Sequence, residues 1–178
     1  MKQLFTCAML LTGVVTAGFA QRPQQSPAAE TSVTINGKTI SIKYHAPSLR
    51  GRTDIFGPSG PIAKDSTYPV WRAGANEATA LTTTGDLDIN GLHVPAGSYT
   101  LFVALNNGHW ELIVSKQTGQ WGLDYDKSKD LGRTAMTMSK PASKVETYKM
   151  ALSSKGGNRG ELRLEWENTA ASVPFTVK

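Results

Sequence analysis

Within Val70-Trp71-Arg72-Ala73-Gly74-Ala75-Asn76-Glu77-Ala78-Thr79, an aromatic, a guanidinium, an amide and a carboxylate are separated only by Ala and Gly. Small residues let the backbone approach another surface closely, which suits either a ligand site or a tightly packed corner. As a site, Glu77 would serve as general acid or base, Arg72 and Asn76 would hold a polar ligand, and Trp71 would stack on a sugar or ring. As architecture, Arg72 would pair with Glu77, Asn76 would tie down a turn, and Trp71 would lie in the core. Structural ion pairs outnumber catalytic ones, so the architectural reading carries the greater weight. A glycosidase would also need a second carboxylate, about 5 to 9.5 Å from the first.

Three other groups of residues have the types and spacing for chemistry. Arg50-Gly51-Arg52 offers two guanidiniums on a flexible joint, suited to a carboxylate or phosphate, or to pairing with Asp54 or a neighbouring loop's carboxylate. Asp124, Asp126, Ser128 and Asp130 alternate like the oxygens of a calcium loop. Lys129 stands where that loop needs Gly and Ala135 where it needs a bidentate Glu, so a solvated turn is the better reading. His45, His93 and His109 form no metal spacing, and no Gly-x-Ser-x-Gly elbow is present. The sequence asks for no cofactor.

The elements that must position these groups read as strands. Asn36-Gly37, Asn90-Gly91 and Asn107-Gly108 each lie between alternating apolar runs, the signature of a type I′ hairpin. The first turn predicts Ile35 opposite Lys38, Val33 opposite Ile40 and Thr31 opposite Ile42. The second places Leu87, Ile89, Leu92 and Val94 on one face, with Asp88 opposite His93. The third has apolar residues on both faces (Leu101, Val103, Leu105, Trp110, Leu112 and Val114, with Phe102 and Ile113 behind), which predicts a central position in its sheet. Leu162, Leu164, Trp166, Val173, Phe175 and Val177 close the chain, with a four-residue turn expected over 168–171 and the Pro174 strand expected at an edge. No ten-residue stretch has a helical period. The expectation is an all-β antiparallel sandwich of about ten strands, a jelly roll being one such arrangement. Residues 47–69 and 117–133 break the pattern, and long aperiodic loops in compact domains are usually functional or disordered.

Pro47-Ser-Leu-Arg-Gly-Arg52, Ile55-Phe-Gly57, Val70-Trp-Arg-x-Gly-Ala-Asn-Glu-Ala-Thr79, Pro95-Ala-Gly-Ser-Tyr-Thr-Leu-Phe102 and Gln120-Trp-Gly122 follow one another in this order. The set resembles the exported bacterial family known as domain of unknown function 2911, over about residues 31–177. The Trp-Arg-x-Gly-Ala-Asn-Glu block is its most specific part. The resemblance implies a bacterial, exported, single β-rich domain, and it brings no catalytic or binding residues.

The N-terminus reads as a signal peptide over residues 1–20: Lys2, an apolar stretch from Leu4 to Val15, and a small-x-small site at Gly18-Phe19-Ala20. Its threonines and Gly13 make a poor membrane span, so no transmembrane segment remains after cleavage. Residues 21–30, rich in Pro, Gln and Ala, read as a flexible lead-in, and 31–178 as one domain. The single cysteine, Cys7, leaves with the signal, so the mature chain must hold itself together without disulfides. The formal charge of +5 falls to +4 without Lys2, and the basic residues are scattered rather than striped, which argues against nucleic acid. The expected protein is periplasmic or extracellular and binds a small polar or carbohydrate-like ligand through Arg50, Arg52, Trp71, Arg72, Asn76 and Glu77. The alternatives are a hydrolase using Glu77 with a second carboxylate, and a non-catalytic interaction module of the envelope.

Overall fold

A computed structural model describes residues 25–178; the expected signal peptide and its cleavage point lie outside them. Two antiparallel sheets face each other as a sandwich. The first has the order β1 (Ala28–Ile35), β2 (Lys38–His45), β4 (Thr79–Thr83), β7 (Gly97–Asn106), β8 (His109–Ser115) and β9 (Asp130–Ala135), with β3 (Val70–Trp71) added beside β7. The second runs β11 (Val145–Ser154), β12 (Arg159–Glu167), β13 (Thr169–Val177), β5 (Leu87–Ile89) and β6 (Leu92–Val94), with β10 (Thr137–Ser139) beside β13. Two single-turn 3₁₀ helices, at Ile62–Lys64 and Lys127–Lys129, are the helices among the described residues. Neither is long and apolar enough to cross a membrane.

The three Asn-Gly hairpins have the expected registers. Ile35 faces Lys38, Ile89 faces Leu92, and Asn106 faces His109. Both turn residues have positive φ in each case, for example 50° at Asn36 and 72° at Gly37, the geometry of a type I′ turn. Between the sheets Ile40, Ile42, Leu81, Leu101, Val103 and Leu112 pack against Leu87, Leu162, Leu164, Val173 and Phe175. Burial of this apolar surface is the main term favouring the fold. The second apolar face of β7 and β8, with Phe102 and Ile113, forms a smaller cluster with Val70 and Ala104 on the outside of the sheet.

Three expectations need correction. Strand β1 starts at Ala28, inside the expected lead-in, because Ala28, Ala29 and Glu30 continue the ladder opposite His45, Tyr44 and Lys43. The closing hairpin turns tightly at Glu167-Asn168 rather than over 168–171, so Leu162 faces Val173 and Leu164 faces Ala171. Glu167 makes this turn with φ of 54°. Pro174 lies in an interior strand. It falls between the part of β13 paired with β10 (170–172) and the part paired with β5 (175–177), where neither neighbour asks for its missing N–H.

Candidate functional site

Strand β3 and the turn that follows it, residues 72–78, are fixed by packing beneath and by the 120–122 segment beside them. Trp71 is fully buried; it stacks on Trp166 at 6.2 Å and meets Phe56 and Tyr148 edge-on at 5.2 and 5.1 Å. Its indole N–H donates to the Gly74 carbonyl at 3.3 Å. Trp71 therefore serves the core and presents no ring to a ligand. Ala73 and Asn76 both take positive φ, 50° and 58°, and the buried Thr79 hydroxyl lies 2.9 Å from the Ala73 carbonyl oxygen. At Gly74 a Cβ would come within 2.9 Å of the His45 carbonyl oxygen, so glycine is required for the close approach to β2. Gly122 is required in the same way, since a Cβ there would come within 2.6 Å of the Asn76 carbonyl oxygen.

The expected Arg72–Glu77 pair does not form. The Arg72 guanidinium donates to the Asp65 carboxylate at 3.0 Å, on one side of the turn. Glu77 lies on the other, its carboxylate 3.2 Å from Nδ1 of His45 and its side chain 60% exposed. The turn thus divides the candidate residues between two concavities.

The first concavity, about 510 Å³, is lined by Arg50, Arg52, Arg72, Asn76, Ser48 and Asp65, with Trp166 and Ile62 also on its wall. Arg50 and Arg52 do not reach Asp54. The Arg50 guanidinium donates to the Gln25 carbonyl at 2.8 Å, and its backbone N–H donates to the Glu146 carboxylate at 2.8 Å. Arg52 donates to the Leu49 and Ser48 carbonyls at 3.0 and 2.7 Å. Main-chain carbonyls orient these two guanidiniums without cancelling their charge. Three guanidiniums around one carboxylate leave the cavity cationic, and Asn76 reaches the Ser26 carbonyl at its rim, 3.5 Å away. Asp65 was not a sequence candidate. It follows the 62–64 helix in an aperiodic loop, and only folding brings it to Arg72.

The second concavity, about 570 Å³, is lined by His45, Glu77, Gln120 and Lys43 over Ala28 and Ala80. The alternating aspartates make no such site. Asp126 accepts from the Ser128 N–H at 2.9 Å and caps the 127–129 helix; hydrogen bonding to the Ser128 side chain, and then to its N–H, holds its carboxyl below the usual range. Asp130 accepts from the Tyr125 hydroxyl at 2.8 Å and from Arg133. Asp126 and Asp130 are thus engaged within the turn, while Asp124 is exposed. No group of three or more His, Cys, Asp or Glu side chains is placed to hold a metal among the described residues.

No curated protein and no solved structure matches the chain. A family model matches residues 26–175, which include the second concavity, all of the first but Gln25, and the five motifs of the resemblance quoted above. The chain therefore belongs to the family described as "Protein of unknown function (DUF2911)".

Proposed function

We propose that the domain is an exported binding protein whose first cavity takes a small polar ligand bearing a carboxylate or phosphate. The observation that carries this reading is the convergence of Arg50, Arg52 and Arg72 on one cavity with Asn76 and a single carboxylate, Asp65. Guanidiniums present planar donor forks that match carboxylate and phosphate oxygens, and in a partly enclosed site they exchange water for such a ligand at modest cost. The cavity volume lies within the usual range for small-molecule sites, about 300 to 1,000 Å³.

Binding is favoured over hydrolysis because Glu77 lies outside this cavity, is mostly exposed, and pairs with an imidazole. An interaction module would show a contiguous apolar patch. Among the described residues the large exposed apolar side chains are Tyr68 and Trp121 alone. Export is supported by the signal-like residues 1–20, and N-terminal sequencing of exported material should find Gln21 first.

The test is a thermal-shift screen with small carboxylates and organic phosphates. A ligand at one hundred times its Kd should stabilise the fold by about 2.7 kcal/mol. The shift should vanish in the Arg50→Ala/Arg52→Ala double variant. A screen in which no anionic compound raises the melting temperature rejects the reading.

A further inference from the structure

The second concavity lies on the outer face of the seven-stranded sheet. The registers set Ala28 beside His45, and Glu30, Lys43 and Ala80 in one row. Side chains two residues apart share a strand face. Alanines at 28 and 80, with Ala78 between strand and turn, leave a depression where longer side chains would fill the surface. Glu30 and Lys43 offset each other and Glu77 leaves one formal negative charge, so this groove, unlike the arginine cavity, disfavours an anion.

Glu77 and Gln120 on its wall, and Trp121 just beside the lining, have present contacts that leave bonding capacity unused. Glu77 is mostly exposed beyond its contact with His45. Gln120 takes the Thr100 hydroxyl on its side-chain oxygen at 3.4 Å, while its amide nitrogen, buried beneath the groove surface, has no acceptor among the described residues. Trp121 leaves 46% of its surface in water. The backbone fixes Trp121 relative to Glu77. Ala78 N–H donates to the Gln120 carbonyl at 3.1 Å and Gly122 N–H to the Asn76 carbonyl at 3.0 Å, on either side of the Glu77–Trp121 bridge. That pattern makes 77 and 121 a narrow, non-hydrogen-bonded pair, with Cα atoms about 4.5 Å apart and both side chains on one side. An indole is thereby held beside a carboxylate, next to an imidazole and an amide.

We propose that this groove binds an uncharged saccharide. An exposed aromatic face receives the apolar C–H face of a sugar ring. A carboxylate accepts from its hydroxyls, and the imidazole beside it offers a second polar contact. The groove's slight negative charge and alanine floor suit a flat, neutral, hydroxyl-rich ring better than an acid. This site is separate from the arginine cavity and does not depend on it.

The experiment titrates the mature domain with cellobiose, maltose and N,N′-diacetylchitobiose, by calorimetry and tryptophan fluorescence, and extends to an array of neutral glycans. Far-UV circular dichroism checks that each variant is folded. Saturable binding of a neutral glycan is expected, weakened about tenfold or more by Trp121→Ala and by Glu77→Gln, as for a central aromatic anchor and its polar partner. Trp121→Tyr should restore part of it, and Arg50→Ala/Arg52→Ala should leave it unchanged. Absence of any neutral-glycan binding overturns the proposal. So does binding that survives Trp121→Ala, or binding restricted to acidic glycans and lost with the arginines; the last would still leave the arginine cavity supported.

Discussion

Glu167 and Glu77 both sit at turns of the sandwich, and they are put to opposite uses. Glu167 is 8% exposed, and each of its oxygens accepts a backbone N–H, from Asp54 at 2.9 Å and from Ile55 at 3.0 Å. It supplies the acceptors that the start of the 53–60 loop cannot find in any ladder. The loop closes tightly on that anchor: a Cβ at Gly60 would come within 2.1 Å of the Asp54 carbonyl oxygen. Glu77, 60% exposed, has one imidazole partner and no backbone donor assigned to it. What a carboxylate does is set by what its oxygens already hold. Glu167 is committed to the fold, and Glu77 remains available to a ligand.

The sharpest way to break this contrast is to remove Glu167. Glu167→Ala leaves two N–H groups without acceptors, the buried one costing about 1 to 3 kcal/mol and the part-buried one less. A total loss of about 1 to 4 kcal/mol is expected in urea unfolding. Glu167→Gln keeps one acceptor and should lose less. If Glu167→Ala costs under about 1 kcal/mol, the loop is held by something else and the contrast fails.

Asp130 is an intermediate case, held by side chains at the edge of the smaller apolar cluster. Burial, and then the hydrogen bond to Asp130, push the Tyr125 hydroxyl from 10 up to about 12. The folded state therefore holds this proton more tightly than the unfolded chain does. Its contribution is fully present below pH 10, declines as pH rises, and is lost through pH 12. Tyr125→Phe should make unfolding free energy less steep between those limits, by less than the Glu167 effect because the phenol is only partly buried. Urea melts across the alkaline range read it. Tyr148 and Tyr99 are also raised, chiefly by burial, so the comparison with Tyr125→Phe isolates one phenol. Equal slopes in the two proteins would mean that the Tyr125–Asp130 bond does not persist in solution.

The sandwich was legible because two constraints coincided at each Asn-Gly hairpin. Positive φ fixed the turn and alternation fixed the face, so the register followed. The closing hairpin carried no such signal, since its left-handed residue is Glu167 rather than a glycine or an asparagine. The candidate site was legible in part. The arginines and Asn76 were recognised by type, but their grouping depends on loop 47–69, which has no period to read. Trp71 was open to two readings because an aromatic flanked by small residues suits a core and a ligand platform equally. His45 could be placed on a polar strand face from alternation alone. Its meeting with Glu77 required the β2–β4 pairing, a contact across more than thirty residues of chain. Trp121 was visible as a residue of the aperiodic 117–133 segment, but its place beside Glu77 was not, because two isolated backbone bonds set it.

The smallest expected effect tests the other half of the contrast. Glu77→Gln keeps the shape of the side chain and removes its charge. Because the group is mostly exposed and its partner is one imidazole, the loss should stay within about 1 kcal/mol, the range of surface ion pairs. Arg72→Met should cost more, since it leaves the partly buried Asp65 carboxylate without its guanidinium. The two residues share no hydrogen-bond partner, so the double variant should show the sum of the single losses to within about 0.3 to 0.5 kcal/mol. Urea unfolding of the two singles and the double supplies this cycle. A coupling well above that bound would mean that the turn is one electrostatic unit. Glu77 would then belong with Glu167 as part of the architecture, and the groove would lose the carboxylate its ligand needs.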